Sequence, residues 1–207
     1  PSYAIFILAT TEKHKILPTI LSRCQVFNFD RTTIPHIVTH LKGIANDEKI
    51  EAEEEALHLI AQKADGAMRD ALSIFDQMAS FGTEGKITYA EVIENLNILD
   101  YDYYFKITDG FVSGDISSVL VMYDEIQRNG FDGQLFINGL ASHFRDLLVA
   151  QNANSQQLLE KSKELAGKYL SQAKSVSASF IINAINLLGE SDTSYKTSRN
   201  QRLHVEL

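Results

Sequence analysis

Two hydrophobic rhythms divide the chain. Residues 3–10, YAIFILAT, are an unbroken run of apolar and β-favouring positions, whereas from Thr32 onward apolar positions recur every three or four residues. An unbroken run of this kind is the pattern of a strand buried on both faces, as in a parallel sheet. Only one other stretch reads as a strand: CQVFNF, with Val26, Phe27 and Phe29 as its apolar members. Between them EKHKILPTILSR has room for a short helix or two. Two strands make no stable α/β layer. The expectation is therefore that residues 1–31 are the end of an α/β domain whose other strands lie elsewhere. An apolar strand edge left in this way is expected to pair with CQVFNF or with a second copy of the chain.

The helical rhythm begins with TTIPHIVTHLKGIANDEKI, which places Ile34, Ile37, Leu41 and Ile44 on one stripe, with Thr33 as N-cap and Pro35 in the first turn. AEEEALHLIAQKADG repeats the device with Ala56, Leu57, Ile60, Ala61 and Ala64, a solvated acidic first turn, and Gly66 as terminator. AMRDALSIFDQMASFG contributes Met68, Ala71, Leu72, Phe75 and Met78 before a loop containing Gly82 and Gly85. TYAEVIENLNIL opens on a capping box, Thr88 with Glu91 three positions on. Residues 32–98 thus read as a small helical bundle. Five further segments, YDYYFKITDGFVSGD, ISSVLVMYDEIQRNG, FDGQLFINGLASHFRDLLVAQ, SQQLLEKSKELAGKYL and the stretch from Ser175 to the end, keep helical spacing between Gly, Asn and Asp turns. Residues 99–207 therefore form a second all-helical unit, with Phe131, Phe136, Phe144 and Leu147 among its expected core. The fold class is mainly α.

Composition narrows the function. The 207 residues are 44% hydrophobic and 22% charged with three prolines, the balance of a soluble globular chain, and no apolar run reaches membrane-spanning length. A cytoplasmic protein with no membrane partner is the expectation. A formal net charge of −8 argues against wrapping nucleic acid with a broad basic face. The single Cys24 closes no internal disulfide and reads as a packing residue. His36 and His40 stand i, i+4, but no third metal ligand accompanies them. The chain opens on a strand pattern without an initiator Met and stops inside a helical one, and it reads as a piece of something longer.

Three places carry candidate chemistry. Thr10 and Thr11 end the first strand pattern, where an open α/β sheet faces its ligand and two hydroxyls suit a water or a phosphate oxygen, although Thr also simply suits a strand end. Arg23 sits between a short helical turn and CQVFNF, where its forked donors suit phosphate; the alternatives are a helix C-cap or a pair with Asp30. Arg69 falls in a first helical turn, which the macrodipole disfavours by about a few tenths of a kcal/mol. A bound anion would offset this, as would local pairing with Asp65 or Asp70.

FILATTEKHKILPTILSRCQVFNF followed by GAMRDALSIFDQ resembles the gamma/tau family of bacterial DNA polymerase III subunits, the motor subunits of the sliding-clamp loader and members of the AAA+ ATPases. The resemblance implies that Thr11, with Thr10 beside it, is the sensor-1 position, that Arg23 of SRC is an arginine finger, and that Arg69 of GxxRDA is the sensor-2 arginine. It also implies an ATPase-domain end at 1–31, a helical lid at 32–98 and a helical collar at 99–207.

On that resemblance the intact subunit binds ATP and Mg²⁺, its collar associates with sibling subunits, and the assembly opens a sliding clamp onto primed DNA. This chain has no G-x-x-x-x-G-K-[ST] loop and no acidic strand end to hold Mg²⁺, and it lacks the family's zinc module. By itself it is expected to hold no nucleotide tightly and to hydrolyse none. Two other readings stand beside this one. The first is a non-hydrolysing stator of the same assembly or another AAA+ ATPase. The second is a helical interaction module unrelated to ATPases. Self-association into a homo-oligomer is compatible with each.

Overall fold

The computed structural model describes residues 3–81 and 85–207, and divides into two compact units, Pro1–Arg31 and Thr32–Leu207. Gly82, expected in the loop with Gly85, lies outside the described residues.

In the first unit the expected strands do not form. Residues 4–10 and 25–31 are irregular, and no ladder joins them; Tyr3, Ile5, Phe6 and Phe29 stand at least 81% exposed. The physical reason is that a doubly buried strand is stabilised by neighbours on both edges and layers on both faces, and this unit supplies neither. The regular elements of this unit are a 3₁₀ turn at Lys13–Lys15 and helix α1 at Pro18–Leu21. Cys24 is exposed rather than packed, which corrects the reading from composition.

The second unit contains two hydrophobic cores. The first is built by α2 (Ile34–Asp47), α3 (Glu54–Lys63), α4 (Met68–Phe81) and α5 (Tyr89–Leu96). Ile37, Leu41, Ala56, Ile60 and Ala71 are wholly buried in it, as the i, i+3, i+4 stripes require. Thr33 has N-cap backbone geometry but its hydroxyl makes no capping bond. By contrast Thr88 and Glu91 cap α5 reciprocally, at 3.3 and 3.0 Å. A parallel ladder of two residues per strand, β1 (Glu51–Ala52) on β2 (Lys86–Ile87), ties α2's exit to α5's entry. The Lys86 Nζ lies 2.9 Å from Glu51, and the carboxylate of Glu53 accepts from the Tyr89 N–H at 2.7 Å.

The second core is formed by α6 (Tyr101–Ser113), α7 (Ile116–Arg128), α8 (Gly133–Ala150), α9 (Lys163–Gln172), α10 (Ala178–Tyr195) and α11 (Gln201–Glu206). Each begins on a side-chain cap, in order Asp100, Asp115, Asp132, Ser162, Ser177 and Asn200. This explains why turn residues partition the sequence so regularly. Helix α8 runs through the middle against α10, α9, α6 and α11, with Phe136, Phe144 and Leu147 buried and Phe131 at the margin. Two expected helices are broken. The SQQLLEKSKELAGKYL segment is a 3₁₀ turn at Gln156–Leu158 before α9 starts on Ser162, and the C-terminal segment divides between α10 and α11. Among the described residues no helix is long and apolar enough to cross a membrane.

Candidate functional site

The sequence candidates sit on or beside hydrogen-bonded turns. In the first unit Thr10 Oγ1 accepts from the Glu12 N–H at 2.9 Å, a turn closed by a hydroxyl. This leads into the 3₁₀ turn, where Lys15 meets Glu12 at 2.7 Å. The Thr11 side chain is exposed beside it. Pro18 opens α1 with a preset φ. The helix ends in a tightened turn: the N–H groups of Ser22, Arg23 and Cys24 donate to Pro18, Ile20 and Leu21 carbonyls at 2.9, 3.0 and 3.1 Å. Arg23 is therefore fixed at its backbone while its side chain is exposed, and among the described residues its guanidinium pairs with no carboxylate, Asp30 included. Neither the helix-capping nor the Asp30 reading of Arg23 describes this geometry.

In the second unit α3 turns into α4 through Asp65 at φ 46° and Gly66 at φ 80°. Two consecutive left-handed residues fold the chain back sharply, a conformation glycine adopts without penalty. The Gly66 carbonyl accepts from the Thr32 N–H at 3.1 Å, anchoring the turn to the start of α2. Arg69 is the second residue of α4, exposed, and makes no ion pair with Asp65 or Asp70 among the described residues. Its cation stands at a helix N-terminus without an ion pair among the described residues, so an anion arriving there gains from the guanidinium and the first-turn N–H groups together.

The second core holds a polar network that sequence reasoning missed. His143 on α8 is 1% exposed, with Nδ1 3.0 Å from the Tyr169 hydroxyl and Nε2 3.1 Å from Gln172 Oε1. The Gln172 amide donates to the Phe105 carbonyl at 2.8 Å and to Asp109 at 2.7 Å. Its oxygen must then face His143, so Nε2 carries a proton, and in the neutral ring Nδ1 accepts from Tyr169. Burial pushes its pKa down to about 4, against the opposing Gln172 bond and the Asp146 charge. Asp146, one turn on, meets Lys161 at 3.0 Å and Arg145 at 2.8 Å. Burial alone would lower Lys161; the Tyr101 hydroxyl and Asp146 together hold it above the usual lysine value. The signal for this network was available: His143 and Asp146 fall on the buried stripe of a helix otherwise lined by Phe136, Leu140 and Leu147.

The donors present suit phosphate oxygens rather than a metal. The hydroxyls of Thr10 and Thr11 and the guanidinium of Arg23 in the first unit, and the guanidinium of Arg69 in the second, are hydrogen-bond donors, and among the described residues no cluster of His, Cys, Asp or Glu is placed to hold a cation. His36 and His40 are both exposed.

Residues 36–84 match the family described as DNA polymerase III clamp loader subunit, ATPase lid domain, and residues 1–33 match DNA polymerase III, delta subunit. The chain is 34% identical over its whole length to DNA polymerase III subunit tau of Bacillus subtilis, covering 37% of that protein. It is 35% identical to DNA polymerase III subunit gamma/tau of Mycoplasma genitalium, over 89% of this chain and 31% of that one. Protein STICHEL-like 2 of Arabidopsis thaliana is 28% identical over 96% of the chain and 22% of its own length. The chain thus spans about a third of the length of the first two relatives.

Proposed function

The chain belongs to the gamma/tau family of DNA polymerase III clamp-loader subunits, and we propose that it supplies the parts of such a subunit that respond to ATP and hold the assembly together. Residues 1–31 are the end of the ATPase domain, 32–98 the lid and 99–207 the collar. Arg23 is an arginine finger reaching the γ-phosphate of ATP on a neighbouring subunit, where a fixed cation stabilises the charge of the phosphoryl-transfer transition state. Thr11, with Thr10 beside it, is the sensor-1 position near the subunit's own nucleotide. Arg69 is the sensor-2 arginine, acting in cis, so that the angle of the lid follows the presence of the γ-phosphate.

ATP and Mg²⁺ bind to the part of the subunit that carries a phosphate loop; Mg²⁺ there neutralises phosphate charge during transfer. The collar joins sibling subunits, and the cytoplasmic assembly opens the sliding clamp onto primed DNA. The observation that carries this reading is the pair of exposed arginines, each held by a backbone turn and neither given a counter-charge among the described residues.

The test uses the intact subunit in its assembly. Arg23→Ala is expected to leave ATP binding to its own subunit intact while lowering hydrolysis at the neighbouring site by roughly 10³-fold. Arg69→Ala weakens the nucleotide response of the subunit that carries it. Unchanged ATP turnover by the assembly with both substitutions would refute the reading. The 207-residue chain alone is expected to show no turnover.

A further inference from the structure

The junction between the two cores of residues 32–207 is thin. The extensively packed helix pairs each lie within one core or the other, and the chain crosses between cores through residues 97–100, beginning at Asn97 in the left-handed region with φ 48°. Beside the crossing lies a cleft of about 480 Å³, with His58, Gln62 and Tyr89 on the first-core side and Asp102, Glu164 and Lys168 on the other. Two bodies joined by a short strap with open space alongside are free to rotate unless something fastens them.

The fastening is polar. Gln62, on the last turn of α3, grips the second core with both ends of its amide: Nε2 donates to the Glu160 carbonyl at 2.9 Å, and Oε1 accepts from the Tyr101 hydroxyl at 2.7 Å. Tyr101 packs against both cores. Its hydroxyl also accepts from Lys161 Nζ at 3.3 Å, and the same ammonium lies 4.7 Å from the Tyr101 ring centroid. Lys161 is in turn held by Asp146 at 3.0 Å, with side chains 12% and 7% exposed. One hydroxyl thus donates across the junction and accepts from a cation anchored in the second core, an arrangement in which each bond polarises the next.

We infer that Gln62, Tyr101 and Lys161 form a polar latch that sets the orientation of the lid on the second core, and so positions the α3–α4 turn and the Arg69 it carries. Only the consequence for Arg69 rests on the function proposed above. The latch is directional: it fastens the end of α3 nearest that turn, and its release lets the lid swing over the cleft. Hydrogen bonds suit this task better than an apolar seam, because they hold one geometry and weaken steeply once that geometry is left.

The latch is tested by double electron–electron resonance between spin labels at Gln77→Cys on α4 and Lys174→Cys after α9, with Cys24→Ser, in the full chain. Tyr101→Phe removes the hydroxyl and keeps the ring. Each cross-junction hydrogen bond lost is expected to raise the population of released lid about fivefold, the equivalent of about 1 kcal/mol, broadening the distance distribution; Gln62→Leu, which loses two, broadens it further. Tyr103→Phe, which loses a bond to Glu125 within the second core, is the control and leaves the distribution narrow. A distribution as narrow as wild type in both Tyr101→Phe and Gln62→Leu overturns the latch, as does equal broadening in the control. Arg69→Ala leaves the distances unchanged in the absence of nucleotide, so a failure of the ATP-sensing role is told apart from a failure of the latch.

Discussion

Acidification should destabilise the second core through His143. The unfolded chain takes up a proton with the ordinary histidine pKa of 6.5, while the folded ring resists until about 4. Stability is therefore full above pH 6.5, falls as pH drops through that window, and loses nothing further from this group below pH 4. Between pH 7.5 and 5.0 the proton linkage amounts to roughly 2 kcal/mol. The groups facing the ring are Tyr169 and Gln172 from α9, Phe105 and Asp109 from α6, Asp146 on its own helix and Lys161 before α9. Lys161 opposes a second cation, so protonation gains little from the Asp146 it already neutralises. Burial likewise lowers His58, in the same sense, so some dependence survives its removal. The assay is urea unfolding at the two pH values for wild type and His143→Gln, with the ring titration followed by NMR. The variant costs stability at both pH values but should lose roughly 2 kcal/mol less between them. Equal pH dependence in the two proteins, or a ring that titrates near 6.5, would refute the reasoning.

Three further outcomes follow from packing. At Gly139 on α8 an added methyl group would meet the buried Tyr104 ring, 2.6 Å from its Cζ, so Gly139→Ala is expected to lower unfolding stability by about 1–3 kcal/mol. Thr108 is wholly buried and its hydroxyl has no hydrogen-bond partner among the described residues; Thr108→Val should leave the midpoint of thermal unfolding unchanged or raise it, and a clear drop would reveal a partner for that oxygen. Thr88→Ala removes a reciprocal cap and should cost about 1 kcal/mol, seen as faster hydrogen exchange in α5 with α8 unaffected.

The helices were legible wherever an apolar stripe coincided with a capping residue. Thr88 announces a helix start through its capping box, whereas Asp115 and Asp132 were legible only as turn residues and Ser177 not at all, although each accepts from first-turn N–H groups in the structure. The β1–β2 ladder was invisible because two residues carry no periodicity, and what places them together is the packing of the helices between. YAIFILAT misled for the opposite reason: its pattern suits an environment with strands on both sides, and a pattern alone does not supply them. Arg23 and Arg69 were legible as chemical candidates from residue type and position, and their lack of an ion pair among the described residues only from coordinates. The latch was not legible at all, since Gln62, Tyr101 and Lys161 are separated by 39 and 60 residues and gain meaning only in contact.

The small ladder between Glu51 and Lys86 has a kinetic consequence. It closes a loop of some 35 residues, for which chain entropy charges about 3 kcal/mol, far more than two strand residues return when they meet alone. The ladder therefore forms late, after α3 and α4 have docked and shortened the effective loop, and the lid should fold as fast as a simple helical bundle with the ladder as its closing step. Substitutions in β1 or β2 would then speed unfolding while leaving the folding rate almost untouched.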